Sequence, residues 1–240
     1  MRPIALFRGL VILVALAAAL ALLASGPGYR LGAWPFRTGI SLVRWATYLS
    51  IAGVLLAVVA LAIPRLRGGA ARRLAAALLV AGVTGGITGY WAARAASLPR
   101  IHDITTDTDN PPPLVATLPL RAGAENSAVH GGAKLAAEQK RGYPDIAPLA
   151  LAVPPAAAFQ RAQRAAKEMG WQIVAADPAA GRLEATDTTF WFGFHDDIVV
   201  RIAAAGDGSR VDVRSVLRVG RSDIGTNAKR IRGFLERLRA

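Results

Sequence analysis

Hydrophobic and polar positions divide the 240-residue chain near residue 96. Before that point apolar residues run on without alternation, interrupted only by arginines. Beyond it the runs are short and periodic. Residues 45–63 and 74–93 carry no charge, and each has roughly the 20 residues that a helix needs to cross a bilayer core. Trp45, Tyr48, Tyr90 and Trp91 stand near their ends, where amphipathic rings favour the headgroup zone. A third apolar stretch, residues 10–24, follows Arg2 and Arg8. We read it as an uncleaved span, the alternative being a signal peptide with a poor small-residue cleavage site at Ala19 and Ala21. The pattern predicts a transmembrane region over residues 1–96, with spans at about 5–24, 43–63 and 74–95, and a soluble domain over residues 97–240.

In the second part the periodicity changes. Residues 97–153, rich in Thr and Asp and carrying Pro111, Pro112 and Pro113 in succession, predict an extended segment with one short helix near 131–140. A compact core is expected over 154–240. Pro155 suits a first helical position, and Phe159, Ala162, Ala166 and Met169 recur at helical spacing before Gly170 ends the run. Four strands follow, at 171–176, 182–190, 197–203 and 210–219, with turn signals at 177–181 and 206–208 that favour a meander. In the last, Val211, Val213, Ser215 and Leu217 alternate with Arg210, Asp212, Arg214 and Val216, which predicts one face against helices and one against water. Ile224, Ala228, Ile231, Leu235 and Leu238 then mark a C-terminal helix. The expected fold class is a membrane α-helical region of three spans plus an α+β outer domain: a two-layer sandwich of a four-stranded antiparallel meander and two flanking helices.

Charge adds the topology. All 16 acidic residues lie at or after Asp103, whereas 10 of the 29 Lys and Arg lie in the first 96 residues. The net charge of +13 therefore resolves into +10 and +3, which removes most of the case for nucleic-acid binding. Arg65, Arg67, Arg72 and Arg73 crowd one short loop, against Arg30, Arg37 and Arg44 on the other side, so the crowded loop and the N-terminus are expected in the cytoplasm. Three spans then place residue 97 outside, as in a bacterial inner-membrane protein with a periplasmic C-terminal domain. The absence of cysteine excludes disulfides, thiolate nucleophiles and Cys-ligated zinc. No span interior holds an ionisable residue to relay an ion. Gly82, Gly85, Gly86 and Gly89 form two overlapping GxxxG spacings, suited to packing between spans of one chain or between copies in a homo-oligomer.

Four segments concentrate the groups that sites use. His102, Asp103, Asp107 and Asp109 fall close together but lack the glycine turn and distal Glu of a calcium loop, so they read as caps and Asx-turns, with no metal site. Phe190, Trp191, Phe192 and Phe194 precede His195, Asp196 and Asp197; a ring cluster of this kind reads as core, and His195 beside Asp196 is a candidate base. Tyr143, Pro144 and Asp145 read as a turn. Arg214, Arg218, Ser222, Thr226, Asn227, Lys229 and Arg230 run from the last strand into the last helix, whose N-terminus could hold a phosphate or carboxylate, unless Asp223 caps it. No fingerprint of a hydrolase, metalloprotease, P-loop or dinucleotide site is present.

These segments also carry a resemblance. The strings IHDITTDTDNPP, RGYPDIAPL, TFWFGFHDDIVVRI and SRVDVRSVLRVGRSDIGTNAKRIRGFL resemble the bacterial domain-of-unknown-function family numbered fourteen ninety-nine, over residues 97–240. The resemblance implies an envelope-associated domain, often preceded by membrane spans, and implies no activity or cofactor. The reading that results is a membrane-tethered periplasmic binding or scaffold module, partnered by the lipid bilayer and by an anionic envelope component or a protein. The alternative is a hydrolase-like or metal-dependent enzyme using His102, Asp103, His195 and Asp196.

Overall fold

A computed structural model describes residues 2–239. The chain forms two compact units, one made of the chain up to Arg94 together with Trp191–Gly193, the other of Ala95–Phe190 together with the chain from Phe194.

The first unit is helical: α1 (Arg2–Arg30), α2 (Phe36–Ala62), the single turn α3 (Pro64–Arg67) and α4 (Ala71–Ser97). Three stretches, Arg2–Arg30, Phe36–Ala62 and Pro64–Ser97, are long and apolar enough to cross a membrane. Their packing inverts that of a water-soluble bundle. Leu13, Leu20, Leu55 and Leu79 face outward, while Ala15, Ala57, Ala60, Ala77 and Ala81 are buried with Val11 and Leu74. Without a hydrophobic gain to be had in lipid, small residues bring helices close enough for dispersion to hold them. At Gly53 an added Cβ would stand 3.1 Å from the Ala81 Cβ. Of the glycines in the GxxxG spacings only Gly85 lies in such a seam, against Ser50; Gly82, Gly86 and Gly89 meet nothing within 4 Å. Arg8 closes the turn between the second and third spans, its Nε donating to the Leu66 carbonyl at 2.5 Å and its Nη2 to that of Arg65 at 3.2 Å.

The second unit is α+β. Its elements are β1 (Asp103–Thr105), α5 (Gly132–Gly142), β2 (Leu149–Leu151), α6 (Pro155–Glu168), β3 (Gln172–Asp177), β4 (Arg182–Thr188), β5 (His195–Ala205), β6 (Gly208–Leu217) and α7 (Thr226–Arg239). The strands pair antiparallel in the order β1-β6-β5-β4-β3, and β2 also pairs with β6. The expectation of four strands is thus short by two. Each extra strand has three residues, too few for alternation to register, and the two share one edge of β6: Asp103 to Thr105 lie opposite Val216 to Arg214, and Leu149 to Leu151 opposite Val211 to Ser209. An otherwise open edge is covered in this way.

The odd-numbered residues of β6 point to the helix layer as expected. Val211 and Val213, with Ile198, Val200 and Ile202 of β5, meet Ala158, Phe159, Ala162 and Ala166 of α6 and Ile231, Phe234 and Leu238 of α7. Trp171 stacks on Phe234 with centroids 4.9 Å apart and planes 18° from parallel. Trp171 is delivered by the end of α6, where Gly170 takes φ +75° and the Trp171 and Gly170 amides donate back to Ala166 and Lys167 at 3.0 and 2.9 Å. That pair of bonds is a Schellman motif, whose left-handed residue glycine supplies without strain. The aromatic run before His195 is not part of this core, and Phe190 is exposed, because those rings occupy the turn beyond the ends of β4 and β5.

Phe234→Ala should destabilise the α+β unit by about 3–5 kcal/mol, the cost of emptying a fully buried aromatic site. Chemical denaturation of the detergent-solubilised chain, followed by near-UV circular dichroism, measures it; a loss under about 1 kcal/mol would mean the stack is not part of the packed core.

Candidate functional site

The face of the sheet turned away from the helices is not wet. Asp212, Arg214 and Val216 of β6 are buried, as are Glu184 and Thr186 of β4 and Asp197 and Val199 of β5. Residues 106–128 lie over them. Apart from a 3-10 turn at Leu118–Arg121 this segment has no helix or strand, so most of its backbone groups need partners other than a ladder. Charged side chains planted on the sheet supply them. Glu184 accepts the amides of Val115 and Thr117 at 3.0 and 2.9 Å and the Thr117 hydroxyl at 3.0 Å. Arg214 holds Asp103 bidentately at 2.9 and 2.7 Å and donates onward to the carbonyls of Pro112 at 3.2 Å and Ala128 at 2.8 Å. From the segment's side, Arg121 reaches down to Asp197 at 2.7 Å, and Asp197 also takes Arg218 at 2.9 and 2.7 Å. At the margin Asp107 and Asp212 share Arg201 and Arg210. Burial raises the Asp107 carboxyl, but the Asn110 amide and Arg210 outweigh it and hold the group below its usual range.

Between this covering segment and α5 lies an open groove of about 840 Å³. One wall is α5, where Ala133, Ala136, Ala137 and Lys140 recur on one face. The other is built by Pro111, Pro113, Leu114 and Leu118. Val129 and His130 also line it, and the buried Arg214 forms part of the floor. The walls are fixed independently. Gln139 is buried and pairs with the backbone of Thr105, donating to its carbonyl at 2.6 Å and accepting its amide at 2.9 Å, so α5 is docked on β1 as though it were a strand. Pro112 and Ala128, on opposite parts of the covering segment, are both tied to Arg214. His130 Nδ1 accepts the Gly132 amide at 3.2 Å, which assigns the proton to Nε2. That Nε2 is buried with no hydrogen-bond partner among the described residues. Burial, more than offsetting nearby Asp103, holds the ring below its ordinary pKa and therefore neutral near pH 7.

The residues singled out in the sequence fall in several places. Arg214 lines the groove, its guanidinium already engaged by Asp103. Arg218 pairs with Asp197 on the covered face. On the helix side, Arg230 pairs with Asp196 and Asp187 at 2.6 and 2.7 Å and bonds Ser215 and Asn227. Burial pushes the Asp196 carboxyl up to about 6 in spite of Arg230. The N-terminus of α7 is capped from within: Asp223 accepts the amides of Gly225 and Asn227 at 2.9 and 2.8 Å, and Ser222 accepts that of Ile224. Thr226 is half-buried and Lys229 exposed. The backbone carbonyls of His102 and His195 accept the Leu217 and Arg218 amides, so the two histidines flank the end of β6 on either side. His195 Nδ1 lies 3.0 Å from the Thr188 hydroxyl, and burial lowers the pKa of both rings. Among the described residues no three His, Asp or Glu side chains come together as a metal-ligand set. The groove itself escaped the sequence reading, because its walls come from three separate stretches. The signals present were the proline run and the His130-Gly131-Gly132 entry to a helix, each of which reads as a turn when taken alone.

Asp103→Leu leaves Arg214 buried without its counter-charge, and should cost about 3–5 kcal/mol; replacing both together, as Asp103→Leu with Arg214→Met, should cost much less than the sum of those two changes made singly. Denaturant melts of the four proteins measure this, and additive losses would show the pair to be uncoupled.

Comparison with known proteins adds a family. No curated protein matches the chain. A model described as "Protein of unknown function (DUF1499)" matches residues 103–238, from the first residue of β1 to the last turn of α7. With its α+β unit matched almost from end to end, the chain belongs to the DUF1499 family.

Proposed function

We propose that this protein is a membrane-tethered binding module of the bacterial cell envelope, holding its ligand in the groove between α5 and residues 111–118. The observation that carries the reading is the groove: about 840 Å³ in volume and walled mainly by apolar side chains. Ligand sites have this form, apolar walls with a few placed polar groups, and are largely preformed. Gln139 and Arg214 supply the preformation here. Arg214 acts as floor and tie, and Arg218 and Arg230 serve the same unit through Asp197, Asp196 and Asp187.

The periplasmic side for the α+β unit is supported by arginine placement, with Arg65, Arg67, Arg72 and Arg73 crowded between the second and third apolar helices. Protease added to intact spheroplasts should digest the α+β unit; digestion only after lysis would reverse the orientation.

Ala137 is exposed on the groove wall, so Ala137→Trp should fill the groove without disturbing the core. Native mass spectrometry of full-length protein, extracted with its surrounding membrane in polymer-bounded discs, should find a small molecule on the wild type that the variant has lost. Identical spectra for the two proteins would overturn the binding reading.

A further inference from the structure

The helix side of the sheet ends in a buried polar cluster that shares no residue with the groove. Arg230, in the second turn of α7, ties three strands at once: its Nε donates to Asp187 of β4 at 2.7 Å, its Nη2 to Asp196 of β5 at 2.6 Å and its Nη1 to Ser215 of β6 at 3.0 Å. Asn227 accepts from the same Nη1 and donates to the His102 carbonyl at 3.2 Å, and the Asp223 amide donates to the Ile101 carbonyl at 3.2 Å. The start of α7 is thereby fastened both to the sheet and to the lead-in of β1. Asp196 is wholly buried, and its Oδ1 has no hydrogen-bond partner among the described residues.

Charge does not balance in this cluster. Of the charged groups that face Asp196, β4 supplies Asp187, the stretch before α7 supplies Asp223, and α7 supplies Arg230. Ahead of β1, the His102 ring faces Asp223, and burial lowers its pKa. On this side β6 contributes Ser215 and Leu217, and the inward residues of α6 are alanines and Phe159. Asp197, next to Asp196 on β5, turns to the other face, where it takes Arg121 and Arg218. With every carboxyl ionised, one guanidinium would therefore stand against three negative charges. Burial pushes the Asp196 carboxyl up to about 6 against the pull of Arg230, Asp187 and Asp223 push it the same way, and burial raises Asp223 as well.

We propose that Asp196 is a proton-binding switch for the docking of α7: with a proton on its carboxyl the start of the helix is held to the sheet, and with the proton gone the surplus buried charge loosens that hold. A neutral O–H without a partner costs far less in an interior than an unpaired carboxylate oxygen. The charged form is relieved when water reaches it, which requires the first turns of α7 to part from β5 and β6. The unfolded carboxyl ionises at about pH 4 and the folded one at about 6, so this group's contribution to stability is complete below about pH 4 and is lost as the pH rises to about 6. Acid therefore tightens α7 on the sheet. His102, with its depressed pKa, acts in the opposite sense, favouring the folded chain as pH rises.

Hydrogen exchange of the α7 amides in the full chain, held in lipid nanodiscs and followed by mass spectrometry, tests this. Wild type and Asp196→Asn are compared at matched pH, so that intrinsic exchange chemistry and the titration of His102 cancel in their ratio. Exchange in the wild type relative to the variant should rise by up to about tenfold per pH unit from about pH 4.5 to about pH 6 and then level off. Asp187→Asn removes a neighbouring negative charge at a half-buried residue and should shift the same rise to lower pH; it carries the test if Asn at position 196 prevents folding. A ratio to wild type that stays constant from about pH 4.5 to about pH 7 for either variant would overturn the proposal.

Discussion

The bond between Arg214 and Asp103 is the constraint on which the α+β unit turns. Both side chains are 2% exposed, and neither charge would survive there without the other. The pair joins the last strand to the first, and its remaining donors hold Pro112 and Ala128, the two parts of the covering segment that frame the groove. Arginine suits the position because its planar fork can face a carboxylate bidentately and still present donors in other directions; a lysine would offer one point of charge and no such geometry. Glu184 and Arg121 repeat the principle beside it, bonding the Thr117 amide and the Asn126 carbonyl of an irregular segment that has no ladder of its own.

The two units place their small and large residues in opposite ways. Alanines line the seams of the helical unit and leucines face outward, as packing within lipid favours. In the α+β unit aromatic and branched residues fill the layer between sheet and helices, while the other face of the same sheet carries ionic groups that are just as buried. The unit therefore holds two interiors of different chemistry. The apolar one is fixed by volume. The polar one is fixed by donor and acceptor geometry, which tolerates fewer arrangements and so specifies the path of residues 106–128.

The regular elements were legible because burial on one side leaves a period. Phe159, Ala162 and Ala166, or Val211 and Val213, announce the face they bury. The four quoted strings were legible in another way, as members of a family whose model covers residues 103–238. The polar interior could not be read so. Asp212, Arg214 and Arg218 alternate with apolar neighbours as residues facing water would, and the sequence does not record that a non-repetitive segment lies over them. β1 and β2 are too short for a period, and the groove draws its walls from residues near 111, 130 and 214. The capping role weighed for Asp223 was readable, because a cap is a local matter of a few residues.

The shared edge of β6 also sets an order of events. β1 and β2 are synthesised early, yet among the described residues their only strand partner is β6, the last strand there, with Asp103 opposite Val216 and Leu149 opposite Val211. Contacts of such long sequence separation bear a large loop-closure entropy before they stabilise anything, and they slow folding. The hairpins of β3 to β6 can form locally with α6, whereas residues 103–151 must wait, unsheltered, until β6 exists to receive them. The groove therefore cannot be complete before β6 has been made, and a chain cut short before β6 has nowhere to assemble it.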